Sequence, residues 1–246
     1  MPEVKQSVTL LSFTPDAEQL AAMGAKLCYS PSGIEDIKAK LPLEKSKEFI
    51  AHIVDIGHLS TIEHASFTFG IEGVSRTLLA QITRHRIASF SVQSQRYVSY
   101  SANGFGYVVP PAIRDLGADA VQEFERQMQT MQQWYGKWRY ALGCGGEQSN
   151  EDARFVLPGA CETRMMLTMN ARELLHFFTL RCCNRAQWEI RALAWSMLKL
   201  VINAAPALFE SAGPACVRGA CGEGKKSCGE AAKIRKYQKA FVKGAL

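Results

Sequence analysis

The chain has 246 residues, of which 47% are hydrophobic and 21% charged, and its formal net charge is +6. This composition excludes a wholly disordered chain, and the length suits one large domain with a sizeable core. The excess positive charge lies in residues 225–246, so residues 1–224 have no net formal charge and do not suggest a polyanion-binding body.

Hydrophobic spacing and breaker residues predict a mixture of helices and a few separated strands. In chain order, the patterns predict a strand at Val8–Phe13, helices at Asp16–Leu27 and Glu44–Ile56, a strand at Ala65–Ile71, a helix at Ser75–Arg84 followed by a polar loop, a strand at Phe105–Val109, a helix at Arg114–Leu142, a short helix opened by Ser149-Asn150-Glu151-Asp152 and halted by Pro158, an extended segment at Cys161–Met169, and helices at Ala171–Arg181 and Ala186–Phe209. This mixture predicts an α/β or α+β fold with a small sheet in one domain, residues 1–212, followed by a Cys- and Lys-rich tail, residues 213–246.

The N-terminus lacks a long apolar run behind basic residues, and no window reaches the ~18 apolar residues of a membrane span. We therefore expect a soluble cytoplasmic protein with no membrane partner. The eight cysteines do not resemble a compact disulfide scaffold, and most are expected to be buried small hydrophobes. In the tail, Cys216, Cys221 and Cys228 could bind zinc with a fourth ligand from elsewhere, but the spacing favours a flexible tail with incidental cysteines.

An acid-free segment is the most informative feature of the chain. Forty-two residues separate Glu72 from Asp115 without an Asp or Glu, and Arg84-His85-Arg86 lies near their centre. The planar guanidinium of arginine matches phosphate and carboxylate groups. A solvated helix end is the plainer alternative, but three cations exceed what a helix dipole needs, and no carboxylate nearby in the sequence neutralises them. The segment therefore predicts an anion-binding site.

A second cationic series follows later in the chain. Arg172 and His176 are four residues apart and would share one helix face. Arg181 lies at the edge of an apolar face, where a harmless surface position is the usual alternative. The full series is Arg154, Arg164, Asn170, Arg172, His176, Arg181 and Arg185.

Other catalytic and metal motifs are weak. His58 and His64 are six residues apart with Glu63 between them, which does not match a zinc motif. The sequence shows neither a triphosphate-binding glycine loop nor a dinucleotide fingerprint, and neither Ser94 nor any cysteine lies in a recognisable nucleophile motif. We therefore expect no metal.

Arg84-His85-Arg86 followed by Ser94 and Arg96 resembles the signature of flavin-dependent thymidylate synthases. The similarity continues in the family's order over roughly residues 8–210. It includes Cys28-Tyr29, His58 through Glu63-His64, Arg154 before Val156-Leu157-Pro158, Asn170-Ala171-Arg172, and Leu180-Arg181 leading into Ala186-Gln187-Trp188-Glu189-Ile190.

The resemblance implies a homotetramer with active sites shared between subunits. It also implies methylation of dUMP to dTMP with 5,10-methylenetetrahydrofolate, using FAD reduced by NADPH and releasing tetrahydrofolate. By position, FAD is expected on Ser60, Arg84, His85, Arg86, Ile87, Asn170, Arg172 and His176. By position, dUMP is expected on Gln81, Arg84, Ser94, Gln95, Arg96, Arg154 and Arg181. Arg181 is the expected catalytic residue, because the family's matching arginine is thought to favour ionisation at N3 of uracil.

The chain departs from the family pattern at two places. Ser91-Val92 stand where many members have Asn-Glu, so a carboxylate contact by that route is not carried over, and His176 stands where an Asn is common. The main alternative is a nucleic-acid-binding protein that uses the Arg-rich loop and the basic tail, without a bound flavin. A cysteine-dependent thymidylate synthase is disfavoured because no cysteine lies in that family's signature.

Overall fold

The computed structural model describes residues 1–100 and 103–244. Its strands form a four-stranded sheet in the order β1-β2-β4-β3. The strands are β1 (Ser7–Phe13), β2 (Ser66–Ser75), β3 (Ala88–Val92) and β4 (Glu162–Asn170).

The register shows that neighbouring strands run antiparallel. Between β1 and β2, the Thr14 amide donates to the Ser66 carbonyl at 3.0 Å, whereas Lys5 approaches Gly73 near the opposite end. Between β2 and β4, the hydroxyls of Thr68 and Thr168 are 2.9 Å apart. Gly73 has a φ of 66° and lies so close to the Lys5 carbonyl that a Cβ there would clash with it, so glycine is required.

Eleven α-helices and four 3₁₀ turns complete the described part of the chain, which confirms the predicted mixture of helices with a small sheet. The helices are α1 (Ala17–Leu27), α2 (Ile34–Lys40), α3 (Leu43–Asp55), α4 (Arg76–Ile82), α5 (Pro111–Asp115), α6 (Ala118–Ala141), α7 (Glu147–Ala153), α8 (Ala171–Arg181), α9 (Trp188–Ala204), α10 (Pro206–Phe209) and α11 (Ala231–Val242). The 3₁₀ turns are Leu59–His64, Arg154–Val156, Ala215–Val217 and Gly224–Lys226. Within the described residues, no helix is both long and apolar enough to cross a membrane.

The chain divides into two compact units. Unit 1 contains Met1–Ser7, Ile71–Arg84 and Phe90–Met166, and unit 2 contains Val8–Gly70, His85–Ser89 and Leu167–Leu246. The core of unit 1 includes Phe105, Met128 and Cys161. In unit 2, Phe209 packs edge-on against Phe67 and Phe178, while α8 packs against α9. The predicted domain boundary at residue 212 stays a prediction.

Several predicted elements are confirmed to within a residue or two: β1, α1, α3, β4 and α8. Two assignments concerning strands were wrong. The polar loop after α4 contains β3, and Phe105–Val109 forms no strand but only isolated bridges from Tyr107 to Glu3 and Cys161.

Three helix predictions also need correction. The predicted helix Arg114–Leu142 is divided between α5 and α6 by Gly117, whose φ of 105° is incompatible with a right-handed helix. The predicted capping box does not open α7, which already begins at Glu147; Ser149 Oγ instead accepts from the Gly145 amide at 2.8 Å. The helix predicted to end at Phe209 is interrupted at Ala205, before a proline that cannot donate a backbone hydrogen bond.

The tail was predicted to be flexible, but its described part, residues 213–244, contains α11. Ile234 and Gln238 of that helix are buried. Trp195 of α9 packs edge-on against Tyr237 and Phe241, with ring centroids 5.0 Å and 4.9 Å apart. This aromatic contact fixes the helix on unit 2. Residues 245 and 246 of the predicted tail lie outside the described residues.

Candidate active site

Unit 2 contains a cavity of about 570 Å³, within the size range of small-molecule sites. We call it the α8 cavity, because the first turns of α8 contribute much of its wall. It is lined by Leu59, Glu63, Ile87, Asn170, Arg172, Glu173, Leu175, His176, Thr179 and Arg218. The structure thus brings together four of the residues expected to contact FAD: Ile87, Asn170, Arg172 and His176.

Local sequence explains how α8 presents these residues. Asn170 has an extended backbone conformation and caps the helix, with its Oδ1 accepting from the Glu173 amide at 2.9 Å. Arg172 and His176 are four residues apart, so one face of the helix carries both onto the cavity wall. The cap uses Asn170 Oδ1, and the amide nitrogen of the same side chain can donate to a ligand in the cavity.

A carboxylate faces the predicted cation on this wall. Arg172 Nη1 donates to Glu63 Oε1 at 2.6 Å. Both side chains are substantially exposed, so the pair contributes little to stability. Glu63 thus supplies a carboxylate partner for the second cationic series. Ser60, one residue from Leu59 of the cavity wall, is exposed on the same 3₁₀ turn.

His85 is buried, with 5% of its surface exposed, and it is not among the residues lining the α8 cavity. Its Nδ1 lies 3.0 Å from Glu173 Oε1, and its Nε2 lies 3.1 Å from Arg181 Nε. Its ring also packs edge-on against Phe177 at 5.0 Å and His176 at 5.9 Å. The neighbouring Arg86 is exposed.

The surroundings of His85 favour its neutral form. Burial lowers the pKa of His85 below its ordinary value, and the charges of Arg181 and His176 lower the pKa further. The Glu173 carboxylate opposes this by accepting a hydrogen bond, which raises the pKa, but the lowering contributions prevail. His85 is therefore neutral at physiological pH.

Six of the residues expected to contact dUMP belong to unit 1. Two of them, Arg96 and Arg154, both contact Glu151. Arg96 pairs with Glu147 and, through Nε at 2.9 Å, with Glu151. Arg154 Nε donates to the backbone carbonyl of Glu151 at 3.1 Å. The carboxylates come from α7, four residues apart on one face, so a distant part of the chain neutralises Arg96 of the acid-free segment.

The turn after β3 holds the other residues of this group in place. Ser94 Oγ accepts from the Arg96 amide at 3.1 Å, and Asn150 Nδ2 donates to the Arg96 carbonyl at 2.8 Å. Gln95 is buried and donates to Cys161 Sγ at 3.5 Å, so its side chain is directed into the protein.

The remaining residues expected to contact dUMP lie outside this turn. Gln81 is half-buried at the end of α4, and Arg84 is exposed just beyond it. Arg181, the seventh residue of the group, belongs to unit 2.

Six residues of the α8 cavity were not predicted from the sequence as binding residues, and three of them are charged: Glu63, Glu173 and Arg218. Glu173 had the signal of a capped helix start, an Asn three residues before a Glu. Glu63 was noticed as a member of a weak metal pattern and of the family resemblance, but not as a binding residue. Arg218 lies in the predicted tail, and its Nη2 donates to Thr179 Oγ1 at 3.4 Å. No local sequence pattern predicts Arg218 at this cavity, because its contact with Thr179 joins residues 39 positions apart.

The tail cysteines line a second cavity in unit 2, of about 270 Å³. Cys183 joins Cys216, Cys221 and Cys228 on its wall. Within residues 1–100 and 103–244, however, no three His, Cys, Asp or Glu side chains are placed to hold a metal ion. The cavity gathers four thiols without forming a coordination site.

The chain is similar to proteins of a known family. Residues 9–207 match the family model described as thymidylate synthase complementing protein. The chain is 50% identical to the flavin-dependent thymidylate synthase of Geobacter sulfurreducens, over 93% of this chain and 96% of that protein. It is 46% identical to the enzyme of the same name from Clostridium tetani, over 93% and 95%. The chain therefore belongs to the thymidylate synthase complementing protein family.

The lowered pKa of His85 predicts a pH-dependent stability. Its unfolded state takes up a proton near the ordinary pKa of 6.5, before the folded state does. The stabilisation is thus present above that pH and is lost as the pH falls through the lower pKa of the folded state. In urea titrations, we expect acidification from about pH 7.5 to about pH 5.5 to reduce the free energy of unfolding more in the wild type than in His85→Gln. Equal losses in the two proteins would contradict the assignment.

Proposed function

We propose that this chain is a flavin-dependent thymidylate synthase. It methylates dUMP to dTMP with 5,10-methylenetetrahydrofolate as carbon donor, FAD as hydride carrier and NADPH as reductant, and it releases tetrahydrofolate. The observation that carries the proposal is the convergence of a family match over residues 9–207 with four expected FAD residues on one cavity wall.

The residues of the α8 cavity fit a flavin nucleotide. Ile87 contributes an apolar side chain that is 67% exposed, which suits contact with a flat ring system. Arg172 and Arg218 supply cations for a pyrophosphate, and the positive end of the α8 dipole adds to them. A bound flavin would supply hydride transfer, while the protein supplies binding, orientation and electrostatics.

The arginines of unit 1 fit the phosphate of a nucleotide. Arg96 and Arg154 meet at Glu151. A phosphate approaching Arg96 would compete with Glu147 and Glu151 for the same guanidinium group. We infer that these carboxylates hold Arg96 in position until dUMP replaces them.

Arg181 is the proposed catalytic residue. It is half-buried, its Nε donates to neutral His85, and its positive charge persists at every physiological pH. A fixed cation in a partly desolvated position stabilises developing negative charge on a uracil ring better than it would in water. Arg181 therefore acts by electrostatics, and no enzyme nucleophile is required.

Nucleic-acid binding was the alternative function. The relatives give it no support, since their names describe a flavin-dependent enzyme. The cations on which the alternative depended are also partly neutralised, because Arg96 is paired with carboxylates of α7.

We further infer a reducing compartment, the cytoplasm. All eight cysteines lie in the described residues, and none is in a disulfide. Four of these thiols share one cavity wall, where an oxidising environment would favour their cross-linking. Fractionation of the host cell tests this location, and recovery of the protein outside the cytoplasm would contradict it.

The homotetramer is proposed from aromatic exposure in unit 1. Trp134 and Trp138 of α6 are four residues apart and are 50% and 51% exposed. Exposed apolar patches of this kind mark interfaces. Light scattering should give the mass of four chains, and Trp134→Glu with Trp138→Glu should reduce that mass. The exposed Gln133→Glu adds the same charge to α6 and serves as the control. A wild-type monomer, or a tetramer unaffected by the double substitution, would contradict the proposal.

The flavin site predicts a role for Arg218. Removing a charged hydrogen-bond donor costs about 1.5–3 kcal/mol, so Arg218→Ala should weaken flavin binding roughly tenfold or more. Flavin fluorescence during titration of the apoprotein measures the affinity. Lys225→Ala is the control, because it removes an exposed charge from the same tail outside the α8 cavity. Equal affinities for both variants would remove Arg218 from the site.

Loss of Arg181 tests the chemistry. Arg181→Ala should raise the barrier to dTMP formation by roughly 2.7–4 kcal/mol, a loss of a hundredfold or more, by analogy with an oxyanion donor. Reduction of the flavin by NADPH should be much less affected, because that half-reaction needs no activated uracil. Arg191→Ala, which removes an arginine from α9, is the control. Nearly unchanged turnover in Arg181→Ala, or outright loss of flavin, would refute the assignment.

A further inference from the structure

Glu173, His85 and Arg181 form a continuous hydrogen-bonded chain inside unit 2. Glu173 Oε1 lies 3.0 Å from His85 Nδ1, and His85 Nε2 lies 3.1 Å from Arg181 Nε. Glu173 and His85 are only 7% and 5% exposed, so their hydrogen bond is shielded from water, and the bond from Arg181 to His85 is partly buried. Buried polar chains of this kind are expensive to disturb, because each lost partner leaves a desolvated group behind.

The chemistry of the three groups fixes the direction of every proton in this chain. An arginine Nε–H can only donate, so His85 Nε2 must accept and carry no proton. The ring proton of neutral His85 then lies on Nδ1, which donates to the Glu173 carboxylate. Neither protonation of His85 nor the opposite tautomer preserves both bonds, because each places a hydrogen between Nε2 and the Arg181 donor.

His85 links two side chains that start from opposite ends of α8. Glu173 is in the first turn of α8 and Arg181 is its last residue. The eight-residue separation corresponds to about 12 Å along the helix axis, at 1.5 Å per residue. His85 enters from a distant part of the chain and bridges the gap, and Phe177 packs edge-on against its ring at 5.0 Å.

We propose that Glu173 is a positioning residue for Arg181: its carboxylate holds His85 in the tautomer that orients the arginine guanidinium. This inference rests on the proposed function, in which Arg181 is catalytic. Because a guanidinium group is planar, a hydrogen bond at Nε limits the rotation of the whole plane. Any contact that Arg181 makes with uracil then falls to its two Nη groups, whose direction the chain sets.

The side chain of Glu173 can be changed without removing the cap of α8. Asn170 caps the helix through the backbone amide of Glu173, which remains in every variant. Glu173→Gln keeps the size of the side chain but replaces a carboxylate that only accepts with an amide that can either accept from or donate to His85 Nδ1, so the tautomer is no longer fixed. That donation favours the opposite tautomer, which would direct a second hydrogen at the Arg181 Nε–H.

A double-mutant cycle tests whether Glu173 acts through Arg181. Glu173→Gln should lower kcat for dTMP formation about tenfold or more, with KM for dUMP and the rate of flavin reduction changed less than about threefold. In the Arg181→Ala background, the same substitution should change kcat less than about twofold. Glu18→Gln is the matched control: Glu18 is 6% exposed and accepts from the Ala207 amide at 2.7 Å, so a general cost of removing a buried carboxylate would appear there too.

Each outcome decides the proposal. Equal losses from Glu173→Gln in the wild-type and Arg181→Ala backgrounds would show a structural effect and overturn it. If Glu173→Gln does not fold, Glu173→Asp enters the same cycle. The shortened carboxylate should lower kcat to an intermediate value in the wild-type background and leave kcat nearly unchanged in the Arg181→Ala background.

One readout is independent of turnover and of the proposed function. In ¹⁵N NMR spectra, the Arg181 Nε–H signal should be protected from exchange in the wild type and lose that protection in Glu173→Gln. If the wild type forms no dTMP, the proposed function fails. The Arg181 Nε–H signal still shows whether Glu173 positions Arg181. Unchanged protection in the variant would overturn the role of Glu173.

Discussion

Unit 2 depends on one buried hydrogen-bonded chain, from the Glu173 carboxylate through the neutral ring of His85 to the Arg181 guanidinium. Both hydrogen bonds form only if Arg181 donates to His85 and His85 donates to Glu173. A partly buried cation and a buried anion are both costly when they have no partner. Here a neutral ring separates them, so that both are hydrogen-bonded while only the arginine stands at the end expected to meet substrate.

The same helix links this chain to the α8 cavity. Side chains at successive positions of α8 lie on different faces of the helix. Arg172 and His176 therefore line the cavity, while Phe177 packs against His85. One capped helix of eleven residues therefore presents binding groups on one face and supports the proposed catalytic arginine from another. Because Glu173 lines the cavity and its carboxylate bonds to His85, a ligand in the cavity would lie beside the residue that orients Arg181.

The sequence was sufficient for the elements that rest on strong local periodicity. The bounds of α8 were predicted closely because its apolar spacing begins at a capping residue and ends at a basic residue. β3 was missed because alternating serines gave the strand the composition of a loop. The division at Gly117 was missed because isolated glycines are tolerated within helical patterns, and only the positive φ reveals the break.

The sequence identified the residues of the site more successfully than it identified the residues that they contact. Arg181 and His85 were both selected, yet their contact joins positions 96 apart, which no spacing rule predicts. The same limitation hid the carboxylates that face the arginines: Glu147 approaches Arg96 from α7, and Glu63 approaches Arg172 from the 3₁₀ turn. Charge counted along the chain therefore overestimated the unbalanced positive charge around the site.

The tautomer of His85 is the central claim, and ¹⁵N NMR of protein labelled at histidine tests it most directly. His85→Gln identifies the His85 signals by their disappearance. We expect, at neutral pH, a protonated Nδ1 and an unprotonated Nε2, each with the shift of a neutral ring that is not averaging between tautomers. A proton on Nε2, or on both nitrogens, would contradict the claim, because Arg181 could not then donate to the ring and Glu173 would have no route by which to position it.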